Sequence, residues 1–173
     1  MFMLMNNKSS LNVLKFLIEN KGKYHVRQIS RETELSLGFV SRVLRELFEN
    51  ELILVEKKGR MLLYNVNDKN PVVKQIKVLL TMMQLYPFIK ELSVIVRRII
   101  LFGSASRGEN MPDSDIDLFI ISNDSQKIRA VIRKNPKIVP IIMNSTEYTN
   151  LKEADFALYD QINRGIVLWE RSE

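Results

Sequence analysis

The sequence predicts a mixed α/β chain of the α+β type, built from two domains. Three observations lead there. Helix-period apolar spacing recurs three times before residue 50, and two short period-two runs follow it at 52–58 and 61–67. Residues 71–86 then form one long apolar segment of helical character. From residue 97 onward short apolar strands, "RRIILF", "DIDLFII", "KIVPIIMN" and "GIVLWE", alternate with polar helix-like stretches. A chain of 173 residues has room for two small domains. The expected division is 1–68, a linker helix at 69–86, and 87–173.

The first helix is "SLNVLKFLIE", with Leu14, Leu17 and Ile18 on one face. Gly22 interrupts it, "RQISRETEL" forms a short second helix, and "SLGFVSRVLRELFENEL" forms a third. In that third helix Leu37, Val40, Val43, Leu44 and Leu47 face inward, while Gly38, Ser41, Arg42 and Arg45 recur at i, i+3, i+4, i+7 on the opposite face. "LILVEKK" and "MLLYNVN" read as two strands turned by Gly59-Arg60. Three helices followed by a basic hairpin make a winged helix-turn-helix. "VRQISRETELSLGFVSRVLREL" resembles the helix-turn-helix of small prokaryotic transcription regulators, a likeness that covers about 9–67. By this reading Ser41, Arg42 and Arg45, with Gly38 beside them, reach a DNA major groove, and Lys57, Lys58 and Arg60 on the wing contact phosphates.

Composition sets limits on the chemistry. Cysteine is absent, so disulfides and thiolate metal sites are excluded, and the single histidine, His25, leaves almost nothing for a zinc site or a Ser-His mechanism. The net charge is +6, and residues 1–70 carry 12 basic against 8 acidic side chains, so the basic excess leans toward the N-terminal part and toward a polyanionic partner. No apolar run approaches the ~20 residues of a membrane span, and the chain reads as a soluble cytoplasmic protein.

The middle helix opens with Asn70 as N-cap and Pro71 at the first position. Val78, Leu79, Met82, Met83 and Leu85 make it apolar around most of its circumference, so it must be covered on more than one side, by the chain itself or by a second copy in a homodimer. Pro87 is expected to end it, with "FIKELSVIV" as another short helix.

The stretch "LFGSASRGENMPDSDIDLFI" carries the chemistry. Gly103 and Ser104 directly follow a buried strand and open a helical turn, where backbone N–H groups and the Ser104 hydroxyl can hold phosphate. Arg107 lies one turn further on. In the next strand Asp115 and Asp117 alternate with Ile116 and Leu118, so both carboxylates share one face. Acids at alternate positions of an apolar strand are costly without a cation between them, and oxygen ligands of this kind suit Mg²⁺ or Mn²⁺.

This pattern of strand, Gly-Ser, spacer and Asp-x-Asp resembles the nucleotidyltransferase superfamily that includes DNA polymerase β, and especially its minimal branch. The likeness covers about 87 to the C-terminus. It implies a mixed sheet with flanking helices, a nucleoside triphosphate held at Gly103, Ser104 and Arg107, and a metal held by Asp115 and Asp117 as catalytic carboxylates. It also implies a small helical partner protein for members of the minimal branch. Active members carry a third carboxylate on a later strand. The candidate strand "KIVPIIMN" has none in either register: Val139, Ile141 and Met143 lie on one face, and Ile138, Pro140, Ile142 and Asn144 on the other. Glu147 and Asp155 lie beyond it. Two readings result: a nucleotidyltransferase that moves a nucleoside monophosphate to a hydroxyl, or a transcription regulator whose degenerate domain senses nucleotide or mediates assembly.

Overall fold

Caps and apolar stripes fix the three helices of the N-terminal part. In the computed structural model, which describes residues 8–171, α1 spans Lys8–Glu19 and buries Val13, Leu14, Leu17 and Ile18. Helix α2 (Val26–Thr33) begins with a reciprocal cap: His25 Nδ1 accepts the Gln28 N–H at 3.2 Å, and Gln28 Oε1 accepts the His25 N–H at 3.1 Å. Helix α3 (Leu37–Glu49) starts at Ser36, whose Oγ accepts the Phe39 N–H, and it buries Val40, Val43, Leu44 and Leu47. Leu37 departs from the expected inward stripe and is 44% exposed. It is the first helical residue, one turn before the stripe meets its neighbours at Val40.

Strands β1 (Ile53–Lys58) and β2 (Met61–Val66) pair antiparallel from Ile53↔Val66 to Lys58↔Met61. Gly59, at φ +61°, supplies the left-handed turn conformation that closes the pair. Tyr24 adds a one-residue bridge, exchanging both backbone hydrogen bonds with Tyr64 at 2.9 and 2.8 Å. An ion pair between Lys23 and Glu56 ties the same segment to β1, and this lysine holds the Glu56 carboxyl below the usual carboxylate range.

The chain divides into two compact units, Met1–Lys74 and Gln75–Glu173. Helix α4 (Pro71–Leu92) is capped by Asn70, whose Oδ1 accepts the Val72 N–H at 2.8 Å. It runs through Pro87, contrary to the expected stop. A proline inside a helix costs about 3 kcal/mol, because it removes the bond to the carbonyl four residues back, here that of Met83. Pro87 and Met83 are both exposed, so water can serve that carbonyl, while Leu85, Phe88, Ile89 and Leu92 pack into the core on either side of the proline. Among the described residues no helix is long and apolar enough to cross a membrane.

The second unit is a four-stranded sheet in the order β5-β4-β3-β6, with β3 Arg98–Leu101, β4 Ile116–Ile121, β5 Ile138–Met143 and β6 Ile166–Glu170. Strands β4 and β5 are parallel; the other pairs are antiparallel. Between the strands lie α5 (Gly103–Ser106), α6 (Ser125–Ile132), α7 (Ser145–Ala154) and α8 (Phe156–Asn163). Period-two alternation feeds two cores. Ile99, Leu101, Ile116, Leu118 and Ile120 pack with Leu85 and Leu92 of α4 and Ile128 and Ile132 of α6. Ile100, Phe119 and Ile121 pack with Leu151 of α7 and Ile162 of α8. Pro140 sits in β5, an edge strand, as a residue without an N–H requires.

Gly165, between α8 and β6, is held against β3. A Cβ there would lie 2.6 Å from Ile100 Cγ2 and from the Leu101 carbonyl oxygen. Backbone cannot move aside as a side-chain tip can. Gly165→Ala is therefore expected to destabilise the protein by about 1–3 kcal/mol, read as a lower urea midpoint at unchanged slope.

Candidate nucleotide site and candidate DNA-binding face

The end of β3 and the start of β4 build the first site. The Phe102 N–H donates to the Asp117 carbonyl at 3.1 Å, which extends the β3–β4 ladder one step past Leu101. The chain then turns at Gly103, φ +68°. A Cβ at this position would meet the Asp117 carboxylate unless that side chain moved, and the left-handed conformation itself favours glycine. The Gly-Ser pair and the second aspartate, fourteen residues apart in sequence, are thus in direct apposition. Ser104 is half-buried, and its carbonyl accepts the N–H groups of Arg107 and Glu109 at 3.1 and 3.0 Å. Arg107 follows α5 on the surface, with Nε 2.9 Å from a Glu109 carboxylate oxygen. Asp113 lies in a turn.

The two aspartates are not equivalent. The strand begins at Ile116, so Asp115 stands just before β4 and is exposed, while Asp117 is inside the strand and half-buried. Burial pushes the Asp117 carboxyl above the usual aspartate range, and the neighbouring Asp115 charge adds to the shift. Two carboxylates, one of them partly desolvated, form a donor set that suits a hard divalent cation with further oxygens from phosphate.

Register decides what else faces them. In the parallel β4–β5 pair, Asp117 lies beside Val139, with Phe119 beside Ile141 and Ile121 beside Met143. The neighbour of Asp117 is thus a 43% exposed valine. Glu147 and Asp155 serve as caps: Glu147 closes a reciprocal cap with Asn144 at the start of α7, and Asp155 accepts the Leu158 N–H at 3.0 Å at the start of α8. Among the described residues no group of three or more His, Cys, Asp or Glu side chains could hold a metal ion.

In the first unit Gly38, Ser41, Arg42 and Arg45 are all exposed along α3. Arg42 lies over the Phe39 ring, its Cζ 5.2 Å from the centroid, so the guanidinium is partly pre-oriented by a neighbour that the sequence reading did not single out. A Cβ added at Gly38 meets nothing within 4 Å, so nothing in this chain requires a glycine there. Lys57, Lys58 and Arg60 are exposed at the hairpin tip. Alternation puts Lys57 on the face of Ile53 and Lys58 on the face of Leu54, so the two lysines do not share a surface. A cleft of about 420 Å³ beside the hairpin is lined by His25, Arg27, Arg60 and Tyr64, and adds Arg27 to the basic groups near the wing.

The family model of the nucleotidyltransferase domain matches residues 82–167. No curated protein matches the chain. Among solved structures, the chain is similar to the homodimeric winged helix-turn-helix DNA-binding domain of Mb0332 from Mycobacterium bovis, described as a possible ArsR-family transcriptional regulator, at 23% identity and a TM-score of 0.34 over 38% of this chain and 58% of that one. It is also similar to Pseudomonas aeruginosa HmgR, at 11% identity and a TM-score of 0.34 over 78% of this chain and 50% of that one. The chain thus spans between half and three-fifths of the length of these two structures.

Proposed function

We propose, from the nucleotidyltransferase-domain match over 82–167, that this domain binds a nucleoside triphosphate together with Mg²⁺ or Mn²⁺ and is tethered to a DNA-binding winged helix. The observation that carries the proposal is the apposition of Gly103 and Asp117, which brings a backbone turn able to meet phosphate against a carboxylate able to meet its metal. In this reading the Gly103 and Ser104 N–H groups and the Ser104 hydroxyl orient the phosphates. Arg107 exchanges Glu109 for a phosphate oxygen. Asp115 and Asp117 would hold the metal, whose part is to neutralise the phosphates and polarise the scissile bond.

Transfer of the nucleoside monophosphate to a hydroxyl needs a group that prepares the acceptor. Val139 beside Asp117 offers none, and this favours binding without efficient transfer, the behaviour of a nucleotide-responsive regulator. Incubation with α-labelled nucleoside triphosphate, Mg²⁺ or Mn²⁺ and cell extract tests it. The expected result is saturable binding with little label transferred. Robust labelling dependent on Asp115 and Asp117 would establish the enzyme instead, and absence of nucleotide binding at millimolar concentration would remove both readings.

The DNA half rests on the exposed run Gly38, Ser41, Arg42 and Arg45, with Arg60 and whichever of Lys57 and Lys58 shares its face of the hairpin as phosphate contacts. Helix-turn-helix proteins commonly read two half-sites as dimers. The surface suited to self-association is narrower than the five residues named from sequence. Val78 and Leu85 are buried and Met82 is half-buried, but Leu79, Met83 and Tyr86 form an exposed stripe at i, i+4, i+7, at 50%, 64% and 65% exposure. Sedimentation at micromolar concentration is expected to show a dimer that Met83→Glu disperses. A monomeric wild type at those concentrations would refute it.

A further inference from the structure

The end of the sheet opposite Gly103 carries a second row of charged and polar groups. Arg98 stands opposite Glu170 in the β3–β6 pair, and the ladder continues one step outward, where the Arg171 N–H donates to the Arg97 carbonyl at 3.0 Å. Arg97 and Arg171 therefore lie side by side just beyond the ends of β3 and β6 and line one cleft. On the other side of Arg97, its N–H donates to the Ile121 carbonyl at 2.8 Å, just before Ser122. Like charges directly opposite each other on a sheet are destabilising.

Among the described residues only neutral acceptors hold these guanidiniums. Arg97 Nη1 donates to Ser145 Oγ at 3.1 Å, and Arg171 Nη2 donates to the Val94 carbonyl at 2.8 Å. Among the described residues no carboxylate lies within ion-pair distance of either. Both arginines line a cleft of about 210 Å³ with Ser122, Asn123, Asp124 and Ser145. The Asp124 carboxylate is already engaged by Lys127 at 2.7 Å, which holds it below the usual range.

We infer that this cleft binds a phosphoryl group. Two guanidiniums supply two positive charges and more N–H donors than the two oxygens of a carboxylate can use. A phosphoryl group brings up to two negative charges and three oxygens to the same fork. The cleft is separate from the site at Gly103: five residue steps, from Arg97 to Phe102, put the two ends of β3 roughly 16 Å apart. The inference is independent of the nucleotide reading above.

Residue-resolved NMR on the full chain tests it, titrating inorganic phosphate against chloride at constant ionic strength. Saturable shifts are expected at Arg97, Ser122, Asn123 and Ser145. Affinity should fall roughly tenfold or more in Arg97→Gln and in Arg171→Gln, as loss of a hydrogen bond to a charged group implies. Adenosine 5′-monophosphate should produce the same shifts and adenosine none. Tighter binding of the monophosphate would mark a phosphate carried on a nucleoside, and equal binding would mark free phosphate; either supports the site. Shifts confined to Gly103–Arg107, equal affinity in the variants, or no shift at tens of millimolar phosphate would overturn it.

Discussion

Asp115→Asn/Asp117→Asn is expected to lose Mg²⁺-dependent binding of nucleoside triphosphate by about a hundredfold or more while gaining stability in the metal-free state. Two unit charges ~5 Å apart at an effective dielectric of ~20 repel by about 3 kcal/mol, about two decades in a binding constant when a cation relieves them. The stability half follows from linkage. Burial, with Asp115 beside it, raises the Asp117 carboxyl in the folded protein. Its favourable contribution is thus fully present below the ordinary aspartate range and is lost as pH rises through the raised value. Above that raised value the wild type carries a partly desolvated charge at Asp117 that the variant lacks. Thermal unfolding in EDTA should give the variant the higher midpoint at pH 7, with the two curves converging in acid. Calorimetric titration with Mg²⁺-ATP supplies the binding half. Binding retained in the variant would separate these aspartates from the nucleotide.

Arg42→Ala/Arg45→Ala should weaken duplex binding by about a hundredfold. Loss of two phosphate or base contacts at ~1–3 kcal/mol each accounts for that size. Binding by the wild type should follow a log–log salt slope of about −3 to −5, and the double variant should be shallower by about 2. Gly38→Ala separates a binding role from a folding one. Alanine is about 1 kcal/mol better than glycine inside a helix, and no atom lies within 4 Å of the added Cβ. The variant should therefore unfold at higher denaturant concentration yet bind DNA more weakly if a phosphate backbone approaches there. Fluorescence anisotropy on a labelled duplex at several salt concentrations measures these effects. Unchanged affinity in the arginine double variant would remove DNA from this face.

What the sequence discloses is what depends on near neighbours. The α3 face, the Gly59 turn, the Asn70 cap and the Gly-Ser and Asp-x-Asp order all rest on local spacing or on side chains bonding their own backbone. Where long-range packing competes with a local rule, the rule loses. Pro87 is tolerated because burial of Leu85, Phe88, Ile89 and Leu92 outweighs one missing hydrogen bond. Leu37 is exposed because an apolar stripe does not say where its covering neighbour ends. Pairing is illegible for the same reason. Nothing in "DIDLFII" says which residue of "KIVPIIMN" will lie beside Asp117, and nothing local brings Arg97 to Arg171, seventy-four residues away.

The β4–β5 register has a consequence for what this chain could become. Because Asp117 and Val139 are direct neighbours in a parallel pair and Val139 is partly open to solvent, an acid at that one position would stand beside the aspartate pair without entering the core. Every valine codon is one base from an aspartate or a glutamate codon. On the proposed reading, the distance between a two-carboxylate site and a three-carboxylate one is therefore a single point mutation at an exposed position of an edge strand. The same step runs in reverse, so a lineage could lose and regain the third acid without rebuilding the sheet.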